Sequence, residues 1–138
     1  MNAYRWSDLA VGMNHEFVAS FNEADVADFE RISGDINPLH TDPVYAQAHG
    51  FQSTVLFGML TSSLYSRLVG VYLPGQFALL QGIDVHFHFP CMANETLSVR
   101  GEIVYLLDAP RRIEIKASIC NAERKIISKA TIWVGLHD

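Results

Sequence analysis

The chain has 138 residues, 49% of them hydrophobic and 18% charged, with a formal net charge of −5. That length suits one domain spanning 1–138 with a sizeable core, and the composition excludes intrinsic disorder. The acidic balance, spread without long runs, argues against nucleic acid or an anionic membrane as partner, since either calls for a basic face.

Nowhere do 18 or more apolar residues run together, and MNAYRWSDLAVGMNHEF at the N-terminus lacks an apolar stretch of signal-peptide length. No membrane span is expected, and the protein is expected in the cytoplasm. Cys91 and Cys120 stand apart without CxxC spacing, so they read as reduced, buried thiols rather than a disulfide or a metal pair.

HEFVASF (15–21) alternates and predicts a first strand. Asn22 offers an N-cap to EADVADFERIS, where Val26, Phe29 and Ile32 keep helical spacing and acidic residues crowd the first turn. Ser33-Gly34 ends that helix, the loop SGDINPLHTDP (33–43) follows, and a short helical turn is expected from Pro43 with Tyr45 and Ala46 facing inward. VLFGMLTSSLYSRLVGVYL (55–73) is the most apolar helix: Leu56, Leu60, Leu64 and Leu68 form one stripe, widened by Met59, Tyr65 and Val69. Pro74-Gly75 stops it.

The remainder reads as strands. QFALLQGIDVHFHFP (76–90) places Ile83, Val85, Phe87 and Phe89 on one face, and Asp84, His86 and His88 on the other. ETLSVRGEIVYLL (95–107), RRIEIKASICN (111–121) and RKIISKATIWVGL (124–136) follow, separated by turn signals at 92–94, 108–110 and 121–123. One sheet wrapped around the apolar helix accommodates this order: an α+β hot-dog fold ending in an antiparallel meander of four strands. Such a sheet has a free edge and leaves one helix side open, so a homodimer or higher homo-oligomer is expected.

In the loop, Pro38 fixes its own φ and drives Asn37 out of the helical region, and Asp42-Pro43 repeats the device. Asp35 and His40 are thus held by a stiff bend. Two readings stay open: Asp35 caps a turn beside a structural histidine, or the two form a general acid/base pair, with desolvation making Asp35 a stronger base.

The run S-G-D-I-N-P-L-H-T-D-P, then F-G-M-L, L-P-G and F-x-F-P, resembles the MaoC-like dehydratases, and among them the (R)-specific enoyl-CoA hydratases, over nearly the whole chain. The resemblance implies a hot-dog fold and reversible addition of water to a trans-2-enoyl thioester, giving the (R)-3-hydroxyacyl thioester. It implies an acyl-CoA or acyl-carrier-protein substrate, and neither cofactor nor metal. Asp35 then activates water, and His40 shares that water and assists proton delivery. Gly58, near the head of the central helix, offers its backbone N–H to the thioester oxygen; its other reading is close packing. Asn37, Phe57 and Met59 are grouped on the substrate side, although Asn37 is expected mainly to brace the loop. The family usually reads H-G-M-L where this chain has Phe57-Gly58-Met59-Leu60. The missing imidazole suggests altered substrate choice, or an acyl-thioester-binding subunit with little catalysis.

Other chemistry finds less support. His86 and His88, with Asp84, have a spacing that can bind zinc, but no further ligand is placed, so a polar or interface-facing strand surface is the reading taken. Ser62, Ser63 and Ser66 lack a G-x-S-x-G setting for a nucleophile.

Overall fold

All residues, Met1–Asp138, are described by the structure, a computed structural model. The first strand, β1 (Asn14–Ala19), leads to Asn22, whose side chain accepts the Asp25 N–H at 3.0 Å while Asp25 returns a bond to the Asn22 N–H. This capping box opens α1 (Glu23–Ser33), and Gly34, at a left-handed φ of 73°, closes it. Two short helices follow, α2 (Pro38–Thr41) and α3 (Pro43–Ala48), each with a proline in its first turn. Residues 38–41 read as loop in the sequence but form a helical turn in the structure. A single turn needs little propensity once Pro38 sets its φ and Asn37 caps it. In α3, Ala46 is buried as expected, but Tyr45 lies outside, stacked on His49.

The central helix α4 (Gly58–Arg67) starts three residues later than the apolar run and continues as a π-turn, Leu68–Tyr72. Residues 55–57 are tied elsewhere: Val55 donates to the Leu39 carbonyl and Leu56 to that of Cys91. Leu60, Leu64, Tyr65, Leu68 and Val69 are buried, whereas Met59 stands outside the stripe at 67% exposure. With Ser63, Ser66 and Arg67 it marks the helix side left uncovered by this chain.

Four strands complete the fold: β2 (Ala78–Phe87), β3 (Leu97–Asp108), β4 (Arg111–Asn121) and β5 (Ile126–Leu136). The antiparallel sheet runs in the order β1-β3-β4-β5-β2. The meander therefore has three strands rather than four, and β2 pairs with β5 at the far edge. The reason lies at residues 92–94, which form no hairpin: the Asn94 N–H donates to the Phe21 carbonyl, carrying the chain to the other edge beside β1. One sheet face alternates Val99, Ile103, Ile113, Ile115, Ile119, Ile132 and Val134 against α4, all buried. Each such side chain contributes about 1.5–3 kcal/mol relative to exposure. Tyr65 reaches from α4 through this core to Ser128 of β5, their hydroxyls 2.8 Å apart.

On β2 the apolar face is only partly covered. Val85 is half-buried, but Ile83, Phe87 and Phe89 are 40–53% exposed, because no strand lies beyond β2 in this chain. Both cysteines are free, Cys91 being buried and Cys120 partly so.

Candidate active site

A cavity of about 540 Å³ opens at the N-terminal end of α4, and its wall includes Asp35, His40, Phe57, Gly58 and Met59. Five of the six residues singled out from sequence therefore share one space. Asn37 does not border it. Its side chain accepts the Leu39 N–H at 3.0 Å and caps α2, which is the bracing role. With φ −57° and ψ 123°, Asn37 has been pushed out of the helical region as the following proline requires.

The bend presents its two functional side chains differently. Asp35 follows the Gly34 cap, accepts the Asn37 N–H at 3.1 Å on Oδ1, and donates its own N–H to Ser33 Oγ. This Asx turn fixes the carboxylate and leaves Oδ2 without a partner in the chain. Asp35 is solvent-exposed, so the desolvation anticipated for it is not supplied by this chain alone; a bound substrate or a neighbouring copy would have to supply it.

His40 is half-buried. Its Nδ1 lies 2.7 Å from the Val55 carbonyl oxygen, which can only accept, so Nδ1 carries a proton. In the neutral ring Nε2 is then left with the lone pair. The Phe57 ring packs on this imidazole at 4.2 Å and on Phe29 at 5.0 Å, and Phe57 is 1% exposed. The phenyl ring standing where an imidazole was expected is therefore a wall fixing the orientation of His40.

Gly58 is the first residue of α4. The N–H groups of Gly58, Met59 and Leu60 find no acceptor in the chain, whereas the Thr61 N–H already reaches the Phe57 carbonyl. The Gly58 carbonyl accepts the hydroxyls of Thr61 at 2.8 Å and Ser62 at 2.9 Å, which ties the first turn of α4 together. Free donors at a helix start favour an anionic oxygen. The close-packing reading also holds: a Cβ on Gly58 would fall 2.9 Å from the Phe87 ring.

Much of the remaining wall comes from residues that carry no site signal of their own in the sequence. Phe87, His88 and Phe89 all border the cavity, as do Thr61 and Cys91. Strict alternation would have turned His88 away. The ladder loosens here, because the N–H groups of both His88 and Phe89 point at the Ile127 carbonyl. The F-x-F-P motif was the available signal, but its periodicity did not say where the strand ends. His86 bonds Asp84 at 3.1 Å, and His88 is not part of that pair. No group of three or more His, Cys, Asp or Glu side chains is arranged to hold a metal. A second cavity, about 470 Å³, borders His40 from another side and is walled by Glu23 and Glu30.

A sheet curled on one helix, with an Asp from a loop and a His from a single helical turn at the head of that helix, defines a hot-dog protein of the hydratase type. The chain belongs to the MaoC-like domain family, whose model matches residues 9–121. It is similar to the (R)-specific enoyl-CoA hydratase of Aeromonas caviae, 35% identical over 98 residues covering 71% of this chain and 73% of that one. A 3-hydroxybutyryl-CoA dehydratase of Methylorubrum extorquens is 27% identical, over 88% of this chain and 77% of its own. Among solved structures, the (R)-hydratase from A. caviae superposes with a TM-score of 0.89 at 29% identity, covering 94% of this chain and 98% of that chain.

Proposed function

We propose that the chain is a hydro-lyase that adds water reversibly to a trans-2-enoyl thioester, giving the (R)-3-hydroxyacyl thioester. The observation that carries this reading is the shared cavity: a carboxylate, an imidazole with a defined tautomer and an unpaired helix-start N–H face one space of substrate size. Asp35 takes a proton from water as the water oxygen bonds to C3. The double-bond electrons pass to the thioester oxygen, which the Gly58 N–H holds as an enolate. The proton taken up by Asp35 then passes by way of His40 Nε2 to C2, so that H and OH are added across the double bond and both groups return to their starting state. A positioned acid/base group contributes roughly 10²–10⁴ in rate.

CoA is the carrier we favour, with acyl carrier protein second. Glu23 and Glu30 make the second cavity unfavourable for the phosphates of either carrier, so the thioester enters by the mouth lined by Met59, Phe87 and Phe89. We further infer that two copies associate along β2, whose free edge carries exposed Leu79, Leu80 and Ile83. Light scattering should give twice the chain mass, and a monomer at micromolar concentration would contradict the pairing.

The functional test is product analysis after incubation with crotonyl-CoA. Chiral separation should yield (R)-3-hydroxybutyryl-CoA. The (S) product, or free thiol without hydration, would overturn the reading.

A further inference from the structure

We propose that Phe87 is a specificity-determining residue that excludes substituents at C2 of the acyl group; this rests on the enoyl-thioester reading above. Phe87 ends β2 opposite Ser128, and the next N–H, that of His88, donates to Ile127 at 2.8 Å. The backbone is pinned there, so the position of the ring is set by its own side-chain torsions. That ring is 52% exposed and borders the cavity.

Its neighbour is Gly58. A Cβ added at Gly58 would meet Phe87 Cε1 at 2.9 Å and Cζ at 3.0 Å, tighter than side chains normally tolerate. The ring therefore occupies the space beside the residue whose N–H is free. A thioester oxygen that accepts a bond from that N–H sits about 3 Å away, which puts C2 roughly 4–5 Å from the same nitrogen. Beyond the carbonyl carbon, C2 is thus the acyl carbon held nearest Gly58, the residue that the Phe87 ring flanks. An unbranched trans-2-enoyl group is flat and narrow at this point. A methyl on C2 adds bulk next to Gly58, where even a Cβ would crowd the Phe87 ring. Met59 and Phe89 also border the cavity and are exposed, but the three atoms nearest to where a Gly58 Cβ would stand all belong to Phe87.

The test compares wild type, Phe87→Ala and Phe87→Leu on crotonyl-CoA and on tigloyl-CoA, its 2-methyl homologue. Wild type should prefer crotonyl-CoA by about 10–200-fold in kcat/KM, the range one methyl commands in an apolar site. That preference should shrink at least about tenfold in Phe87→Ala, with Phe87→Leu intermediate. A preference that stays within about twofold of wild type in both folded variants overturns the assignment. Calorimetric affinities for butyryl-CoA and isobutyryl-CoA, saturated isomers without and with the C2 branch, read the same selectivity without turnover. A selectivity shift there in a protein that hydrates nothing upholds Phe87 and counts against the hydratase chemistry alone. Unshifted selectivity, or no binding of either thioester, overturns the proposal. Should Phe87→Ala not fold, Phe87→Leu, which keeps most of the volume, decides.

Discussion

His40 and Val55 are joined by a 2.7 Å bond from imidazole Nδ1 to a main-chain carbonyl, and Val55 is bonded on its other side, through its N–H, to Leu39. The helix carrying the histidine and the segment leading into α4 are thus tied at one residue. An asparagine at 40 places its amide nitrogen near where Nδ1 lies, keeping the tie while removing the titratable nitrogen. His40→Asn should stay folded and lose about 10²–10⁴ in kcat for enoyl-CoA hydration. His40→Ala should lose as much activity and also about 1 kcal/mol of stability, from the orphaned Val55 carbonyl. Urea unfolding of the two variants separates the effects. Equal stability would mean the bond does no structural work.

Gly58 invites a paired substitution. Phe57, at φ −57° and ψ 130°, already has the conformation that a following proline demands, and the first helical position tolerates proline. Gly58→Pro removes the N–H, whereas Gly58→Ala keeps it; both crowd the Phe87 ring. The proline variant should fall below the alanine variant by about 10²–10³ in kcat, the usual effect of losing an oxyanion donor. Equal rates would assign Gly58 to packing alone.

Burial pushes the Tyr65 phenol and the Cys91 thiol up to about 12, from ordinary values of 10.0 and 9.0. Above pH 9 the unfolded chain releases protons that the folded chain retains, so stability falls as pH rises, first through Cys91 and then Tyr65, until the folded groups ionise near 12. The slope reaches at most about 1.4 kcal/mol per pH unit for each group. Denaturant midpoints measured from neutral to alkaline pH should drop accordingly. The drop should flatten in Cys91→Ala with Tyr65→Phe. A double variant as alkali-sensitive as wild type would refute this origin.

Local chemistry accounts for what was legible in the sequence. Asn22, Gly34, Pro38 and Pro43 act within one or two turns of where they stand, so the ends of α1, the start of α3 and the stiff Asp35–His40 bend could be read directly. The apolar run at 55–73 announced a central helix for the same reason. Strand order was not legible, because β2 and β5 meet through an edge chosen by tertiary packing, and the Asn94 bond to Phe21 joins residues 73 positions apart. The cavity wall formed by Phe87, His88 and Phe89 was hidden because side-chain alternation fails where a strand ends.

The most direct test of the account compares crotonyl-CoA hydration by wild type and Asp35→Asn, a nearly isosteric change at an exposed carboxylate that leaves an oxygen to accept the Asn37 N–H. Wild type should show clear turnover and the variant a loss of about 10²–10⁴ in kcat, at unchanged thermal stability. Near wild-type turnover in Asp35→Asn would contradict the account.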